Sequence, residues 1–381
     1  MCGTPCQVAI DLPALPLTDS YGSKPAHAPE AGIDQQLMLC PRCGHGRLAT
    51  LLSPDLLYSG DYSFRTSTSH TSSAGSEVFL ALVEKLTVGR ELRCVLDVGC
   101  NDLYLLGRLQ GHARHRVGID PVWAGREAEN TDQGIVVSGA TFEAADLDVL
   151  LPEPADLIVA RHTLEHIHGP LETIRKMLAC AKDDAIIMIE VPGFDTLVKR
   201  QRYDNVFHQH IQYFSRSSLS RLAAETGTEV LAMTENYHHW GAILVALQRL
   251  RGASRSALDV NPRMDRIIDG YRVFRRELEG VVPLVESLGG RLYGYGAAQM
   301  LPILGYHMHT DFSFLEAILD DDRSKDGLGY WNLPVKVEAR REATDLSEAT
   351  VLITAVDSTA PIMRRLLERR PRHVVTPFRI I

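Results

Sequence analysis

Apolar and polar positions change their spacing along the chain, and this spacing divides it into segments of different structure. Residues 77–85 carry apolar side chains at helical spacing, and residues 94–98 form an apolar run typical of a buried strand. Such runs alternate with helical patterns to about residue 250, which predicts a parallel sheet with helices on both faces. The further elements predicted here are strands at 116–120, 157–160 and 185–191 and a helix at 171–181.

A second series of strand patterns follows a long amphipathic segment at residues 261–287. These strands, at 291–296, 317–320 and 351–354, predict a second, smaller α/β unit. The first 75 residues are different, because they are rich in Pro, Gly, Ser and Thr and show little helical period, so we expect a small irregular module. The sequence therefore predicts an α/β protein with domains at 1–75, 76–250 and 251–381.

Composition and charge narrow the possible partners. Hydrophobic residues make up 45% and charged residues 23% of the 381, which is ordinary globular usage. The net charge of −8 argues against nucleic acid as a partner. The chain contains no apolar run long enough to span a bilayer and no secretion signal, so we expect a cytoplasmic protein without a membrane partner. The oligomeric state is left open between a monomer and a homodimer.

The first chemical signal is the segment 95–102, Val-Leu-Asp-Val-Gly-Cys-Asn-Asp, where a strand ends in a small-residue turn. Gly99 lets the backbone approach a ligand at the start of a helix. Asp120 ends the next strand, in a place to accept hydrogen bonds from a ribose. The three-glycine pattern of a dinucleotide site is missing, with Leu103 at one of its positions, so an adenosine without pyrophosphate fits better. A strand-turn-helix corner with an acidic cap remains the alternative.

These segments resemble the class I methyltransferases, which have a Rossmann-like fold and bind S-adenosylmethionine (SAM). The resemblance implies that the glycine turn holds the methionine end of the cofactor and that Asp120 holds its ribose. The segment 156–166 resembles the family's fourth strand and the loop beyond it, which places His166 near the chemistry, although a packed core histidine is the alternative. The cofactor-binding candidates are Asp97, Gly99, Cys100, Asn101, Asp120, Arg161 and His162.

The most specific stretch is Ile-Glu-Val-Pro-Gly at 189–193, followed by Arg-Tyr-Asp-Asn-Val-Phe-His-Gln-His-Ile-Gln-Tyr-Phe-Ser at 202–215. His208 and His210 lie two residues apart beside aromatic residues, an arrangement that can supply a base with a pKa near neutrality. A pair of metal ligands and a pair of ordinary buried histidines are the alternatives.

Together with Gly-Tyr-Gly-Ala-Ala at 294–298 and the segment 319–327, this stretch resembles the deoxysugar C-methyltransferases. Those enzymes act at C-3, or an adjacent carbon, of nucleoside-diphosphate-linked keto-sugars, in pathways that include antibiotic biosynthesis. The resemblance implies an N-terminal zinc module, a class I methyltransferase domain and a C-terminal Rossmann-like lobe that binds the nucleotide sugar. It makes His210 the base. The chain departs from the family's Tyr-His-Glu-His pattern at Phe207 and Gln209, which puts the sugar and the methylated position in doubt.

Methylation at carbon also follows from general chemistry, without the family resemblance. A ketone acidifies the neighbouring C–H, a base takes that proton, and the enolate carbon accepts a methyl group from SAM. His208, Gln209, Tyr62 and Asn205 are the candidates to donate a hydrogen bond to the enolate oxygen. Methylation at oxygen or nitrogen, which needs no base on carbon, is the competing reaction.

Four cysteines in two pairs predict a structural zinc site in the N-terminal module. These ligands are Cys2, Cys6, Cys40 and Cys43, and a redox Cys-x-x-Cys is the alternative. In the C-terminal lobe, the turn Gly294-x-Gly296 and Asp320 at the end of the next strand form a ligand-binding motif that is weak by itself. The resemblance implies that the substrate is bound there by Gly294, Tyr295, Gly296, Asp320 and Lys325.

Overall fold

The structure is a computed structural model of the chain. It describes residues 1–18, 20–22, 24, 28–29, 32–57, 66–68, 70–128, 134–252, 264–339 and 344–378. In chain order the strands are β1 Gln7–Leu15, β2 Ile33–Leu39, β3 Gly46–Leu48, β4 Leu92–Val98, β5 Ala113–Ile119, β6 Ile135–Ser138, β7 Ala155–Arg161, β8 Ala181–Val191, β9 Gln212–Tyr213, β10 Thr228–Asn236, β11 Ala242–Arg249, β12 Arg291–Tyr295, β13 Ala317–Leu319, β14 Val337–Glu338, β15 Ala349–Ile353 and β16 His373–Val375. The helices are α1 Pro54–Leu57, α2 His70–Leu86, α3 Tyr104–Arg108, α4 Leu147–Leu150, α5 Pro170–Ala179, α6 Phe194–Arg200, α7 Arg216–Glu225, α8 Met264–Glu279, α9 Val281–Leu288, α10 Leu301–Met308 and α11 Thr359–Arg369.

The central sheet has seven strands in the order β10-β11-β8-β7-β4-β5-β6. Neighbours from β8 to β6 run parallel, and only β11 runs against the others. One buried core covers one face with side chains of α5 and α7, and another covers the opposite face with side chains of α2 and α3. Since both faces are covered, the strands can be apolar throughout, which is why their sequence runs are continuous rather than alternating.

The N-terminal module is more regular than the sequence predicted. Its strands form an antiparallel sheet in the order β1-β2-β3-β9, so the expectation of an irregular module was wrong. The period of two is broken by register shifts between Val8 and Ile10 and between Leu12 and Leu15. These irregularities, with Pro13 on an edge strand, hide the alternation in the sequence.

The C-terminal lobe is a five-stranded parallel sheet in the order β14-β13-β12-β15-β16. Its central strand β12 pairs with β13 on one side and β15 on the other, so the chain reverses its winding direction beside β12. In an open α/β sheet, this switch point is where a ligand crevice is expected.

One large core joins the first and last modules. It contains side chains of β1 and β2, of Tyr203 and Phe207, of α8 and α9, and of the C-terminal strands. The predicted amphipathic segment corresponds to α8 and α9 over its described part. None of the helices that the described residues form is long and apolar enough to cross a membrane.

Asp156 fixes the start of β7 within the central sheet. Its carboxylate accepts the N–H groups of Arg93 and Cys94 at 2.9 Å each and the Lys182 ammonium at 2.7 Å. Burial by itself raises the pKa of Asp156, but the Lys182 ammonium and the two backbone donors outweigh it and lower the pKa below its usual value.

Asp156→Asn should therefore destabilise the fold by about 2 kcal/mol at pH 7, because it removes a charge-assisted network. Asp183→Asn, which removes a carboxylate that is 92% exposed, is the matched control and should change little. Since the folded pKa is lowered, the stability that Asp156 contributes is present above the ordinary aspartate pKa and is lost as the pH falls below it. Urea unfolding at pH 7 and at acidic pH measures both effects, and an equal loss in the two variants would contradict this assignment.

Candidate active site

The turn after β4 brings the backbone close to the loop after β7. Gly99 has a φ of +79°, in the left-handed region that favours glycine. A Cβ atom on Gly99 would lie 2.1 Å from Oγ1 of Thr163. That hydroxyl is itself held, because it donates to the carbonyls of Val98 and Arg161 at 3.0 Å each. Only glycine fits between the two loops.

The carboxylate of Asp120 ties this turn to the one after β5. It accepts the N–H of Asn101 at 2.8 Å and the N–H of Val122 at 3.0 Å. The indole N–H of Trp123 donates to the carbonyl of Asn101 at 2.6 Å. Since carboxylate oxygens have several lone pairs, Asp120 can hold the turn and accept ribose hydroxyls together.

Two further predicted cofactor residues, Asp97 and Cys100, are buried. Burial raises the pKa of Asp97 to about 7; the Arg161 guanidinium opposes this rise and the Asp120 carboxylate adds to it. A cationic ligand group at the turn would stabilise the charged form of Asp97. The side chain of Cys100 packs against Gly118, where a Cβ would lie 2.7 Å from its Sγ, so Cys100 offers the turn only its backbone.

A fully buried carboxylate, Glu190, lies at the end of β8. Its Oε2 accepts the Nε–H of Arg161 at 2.6 Å, and its Oε1 accepts an amide N–H of Asn236 at 2.7 Å. Arg161 also donates to Oγ of Ser76 in α2 at 2.6 Å. Burial alone raises the pKa of Glu190, but the Arg161 guanidinium and the contact with His239 hold it well below its usual range. Glu190 is therefore an ionised group inside the protein.

Two imidazoles face this carboxylate. Nε2 of His162 lies 3.8 Å from Oε2 of Glu190, and Nδ1 of His239 lies 3.7 Å from Oε1. The two rings meet edge to face with centroids 4.1 Å apart. Burial lowers the pKa of each ring to about 4, although Glu190 opposes the shift. Both rings are therefore neutral at pH 7.

His210 lies at the same edge of the sheet, in a second group of polar side chains. Its ring packs 4.2 Å from Phe207 and 4.9 Å from His166, measured between centroids. Donor atoms of His210, His166 and the buried Glu165 all lie within 4.8 Å of one another. Burial lowers the pKa of His210 well below its usual value, and His166 and His162 lower it further. The ring is thus in the neutral form that can accept a proton.

His208 and Gln209, both predicted at the catalytic centre, are turned towards the N-terminal part of the chain. His208 is buried, and its Nε2 lies 3.0 Å from the carbonyl oxygen of Leu15 while its Nδ1 lies 3.3 Å from Nε2 of Gln35. Gln209 donates to the carbonyl of Leu57 at 2.9 Å. Through these contacts both residues join the segment 202–215 to the N-terminal part of the chain.

Tyr62, the fourth catalytic candidate, lies outside the described residues, as does most of the segment 58–69. Where the chain is described again, the N–H of Thr66 donates to Oδ1 of Asn101 at 3.2 Å. Thr66 therefore lies against the glycine turn that follows β4. Asn205 is half-buried and donates to Oδ2 of Asp204 at 3.4 Å.

Three of the four predicted zinc ligands come together in the N-terminal module. Cys40 and Cys43 are buried, and their sulfurs and that of Cys2 lie within 4.8 Å of one another. Sγ of Cys2 is 3.4 Å from Sγ of Cys40. Cys6 is half-buried outside this group of three, and burial raises the pKa of its thiol while the neighbouring Arg47 guanidinium opposes the rise.

The C-terminal candidates have clear packing roles. A Cβ on Gly294 would lie 2.2 Å from a side-chain carbon of Ile318, and one on Gly296 would lie 2.2 Å from Cβ of Ala355. Asp320 accepts the N–H of Ala297 at 2.7 Å.

Two tyrosines and a lysine close the turn that follows β12. Lys325 donates to the carbonyl of Ala297 at 2.9 Å, and Tyr330 donates to that of Ala298, also at 2.9 Å. Tyr21 from the N-terminal module donates to Ala297 and contacts Tyr330. Tyr295 is buried, and its hydroxyl donates to Asp321 at 2.6 Å. Through Tyr21, these contacts tie the turn to the N-terminal module.

Glu190, Glu165 and His239 were not among the predicted site residues. A signal for Glu190 exists in the sequence, since it is a charge within the apolar run 185–191. A charged residue is almost never fully buried unless it is paired. His239 carries no comparable signal, because its loop meets Glu190 and His162 only in the tertiary structure.

Comparison with known proteins agrees with this geometry. Residues 73–233 match the family model described as a methyltransferase domain. The C-methyltransferase NovU of Streptomyces niveus is 27% identical over 216 residues, which are 55% of this chain and 50% of NovU. The chain thus matches about half the length of that relative. With the strand order above, the family match shows that the central domain has the class I methyltransferase fold predicted from the sequence.

Solved structures with detectable similarity include the N-methyltransferase NodS of Bradyrhizobium japonicum, with 14% identity, a TM-score of 0.39 and coverage of 51% of this chain and 94% of NodS. Another is the 1,6-didemethyltoxoflavin-N1-methyltransferase of Burkholderia thailandensis, with 13% identity, a TM-score of 0.40 and coverage of 61% and 100%.

Gly99→Ala tests the cofactor turn. We expect at least tenfold weaker binding of S-adenosylhomocysteine, about 1.4 kcal/mol, because a side chain at this φ is strained and would push against Thr163. Gly111→Ala is the matched control, since Gly111 has a φ of +81° with open space around it. Calorimetric titration of both variants measures the difference, and equal binding would remove the turn from the cofactor site.

Proposed function

We propose that this protein is a SAM-dependent C-methyltransferase that acts on a nucleoside-diphosphate-linked keto-deoxysugar. The observation that carries the proposal is the half-buried ring of His210, packed between Phe207 and His166 at the carboxyl edge of a class I methyltransferase sheet. The partial similarity to NovU supports methylation at carbon. The sugar nucleotide comes from the resemblance of the segments 202–215, 294–298 and 319–327.

The cofactor fits the residues that are present. The backbone of the turn from Gly99 to Asn101, the ribose acceptor Asp120 and the buried carboxyl of Asp97 match an adenosine that carries an amino-acid end. When bound, SAM supplies an electrophilic methyl group. In our proposal the protein's own residues orient the acceptor and remove one proton.

The proton is removed by His210 from the carbon next to the ketone. Its neighbours suit this task, because Phe207 supplies an apolar wall that keeps the ring neutral and His166 borders it on another side. Nδ1 of His166 lies 2.8 Å from the carbonyl oxygen of Gln209, and this contact fixes the orientation of the His166 ring. The proton passes from carbon to a ring nitrogen of His210, and the electron pair remains on the enolate.

Exchange with heavy water tests this role without requiring product formation. Wild-type protein with S-adenosylhomocysteine and a panel of nucleotide-linked keto-deoxysugars should place solvent deuterium on the carbon next to the ketone. His210→Ala should abolish this exchange and lower methyl transfer by roughly 10²- to 10⁴-fold, as expected for loss of a general base. His168→Ala, which removes an exposed histidine of the same edge, should leave both unchanged.

Mass spectrometry of the recovered sugar reads both effects. Equal methyl gain in wild type and His210→Ala would reject carbon methylation and favour methylation at oxygen or nitrogen, the second candidate reaction. Binding of S-adenosylhomocysteine to each variant shows that the cofactor domain is folded.

We also propose a structural Zn²⁺ in the N-terminal module, with Cys2, Cys40 and Cys43 as ligands and Cys6 as the fourth. The donor set fits, because zinc prefers thiolates in tetrahedral geometry and three sulfurs already lie within 4.8 Å of one another. Ser217 donates to the carbonyl of Cys43 at 3.0 Å, so the cluster is anchored on the start of α7.

Cys43→Ser should lose one equivalent of zinc and lower the melting temperature, since metal binding contributes directly to folding in small modules. Cys180→Ser, at a half-buried cysteine of the central domain, should retain the metal. Elemental analysis after gel filtration gives the stoichiometry, and full zinc content in Cys43→Ser would reject this ligand set.

A further inference from the structure

Three side chains at the edge of the central sheet are arranged like metal ligands. His162, Glu190 and His239 offer one donor atom each, and these atoms lie within 4.8 Å of one another. Nε2 of His162 and Nδ1 of His239 are buried nitrogens that have no hydrogen-bond partner among the described residues. Buried polar atoms are almost always paired, so two unpaired nitrogens facing one carboxylate require an explanation.

The surrounding contacts resemble the outer shell of a metal site. Oε1 of Glu165 lies 3.2 Å from Nδ1 of His162. If Nδ1 carries the proton, the lone pair of Nε2 faces Glu190. This carboxylate–histidine contact is typical of metal-binding imidazoles. Glu190 is oriented by Asn236 on Oε1 and by Arg161 on Oε2, and each oxygen keeps a further lone pair.

The distances are close to those of a metal complex. Nitrogen and carboxylate ligands at about 2.0–2.2 Å from a tetrahedral metal lie about 3.4 Å from each other. Nε2 of His162 lies 3.8 Å from Oε2 of Glu190, and Nδ1 of His239 lies 3.7 Å from Oε1, so a carboxylate that binds the metal through both oxygens needs only a small closure of the two rings. Two imidazoles with one carboxylate are a donor set for Zn²⁺ and related divalent transition metals.

We propose that His162, Glu190 and His239 bind a divalent transition-metal ion at the edge of the cofactor pocket. Three protein ligands leave a coordination position open for water or an oxygen of a bound molecule. The Arg161 guanidinium on Glu190 offsets the carboxylate charge, so the ion binds more weakly than one held by thiolates. This site goes beyond the proposed function and exists whether or not the acceptor is a keto-sugar.

The neighbouring group of Glu165, His166 and His210 is a weaker candidate for a metal. Nδ1 of His166 lies at hydrogen-bond distance from the carbonyl of Gln209. Within the part of the chain that the structure describes, neither ring in that group has a buried nitrogen left without a partner, whereas His162 and His239 each have one.

Metal content tests the proposal directly. Full-length protein is stripped with a chelator, reconstituted with Zn²⁺ and passed through gel filtration before elemental analysis. His162→Gln and His239→Gln should each hold one equivalent fewer than wild type. His238→Gln, at the exposed neighbouring histidine, should match wild type. Equal metal content in all four proteins would overturn the proposal.

The absorption spectrum of bound Co²⁺ separates this site from the cysteine cluster. The wild-type spectrum tests the proposal without any variant. Wild-type protein loaded with Co²⁺ should show a ligand-field spectrum beyond that of the thiolate site, and His239→Gln should lose this part while the thiolate-to-cobalt charge-transfer band remains. A wild-type spectrum explained entirely by thiolate coordination would overturn the proposal. Both readouts are made without an acceptor, so their failure is distinct from failure of the C-methyltransferase assignment.

Discussion

The arrangement of the site depends on the ionised carboxylate of Glu190, buried at the end of β8. An unpaired charge in that position would be very costly, so other elements must bring partners to it. Arg161 comes from the end of β7, Asn236 from the end of β10, and Ser76 of α2 supports Arg161 from the other side. One buried charge thereby sets the relative positions of two neighbouring loops, a hairpin and the helix that precedes the cofactor turn.

The segment 202–215 has a similar organising role for the whole chain. Tyr203 is fully buried and donates to the carbonyl of Ile267 in α8 at 3.0 Å, and Arg202 forms an ion pair with Asp357 of the C-terminal lobe at 2.7 Å. His208 contacts the N-terminal sheet, whereas His210 faces the cofactor edge. The motif that suggested catalysis therefore also joins the three modules. The chain turns at residues 208 and 209, so His208 and His210 have different neighbours although they are two residues apart.

In the C-terminal lobe, too, a motif that suggested ligand binding has a role in packing. Its glycine turn resembles a ligand loop, but close packing against Ile318 and Ala355 already requires glycines at 294 and 296. Tyr21 reaches this turn from the N-terminal module, where Gly22 also donates to the carbonyl of Gly329 at 2.9 Å. A nucleotide bound at this turn would have to share it with Tyr21, so binding there would connect the first and last modules.

Local patterns in the sequence predict much of the architecture. The apolar runs at 94–98 and 185–191 predicted buried parallel strands, and Gly99 followed by Asp120 predicted an adenosine-type turn, because backbone conformation and strand burial are determined by nearby residues. Local pattern failed at the N-terminal sheet, where bulges in β1 broke the alternation. It also could not separate His208 from His210, which share a motif and differ only in what packs against them.

The sequence by itself determined the fold class, the glycine turn after β4 and three of the four cysteines predicted to gather in the N-terminal module. Only the tertiary structure decided which polar groups meet. The loop after β7 contributes His162, the end of β8 contributes Glu190, and the loop before β11 contributes His239. They meet because of the order of strands in the sheet and because one buried charge must be neutralised. Contacts of that kind depend on distances between segments far apart in the chain, which no local spacing of residues encodes.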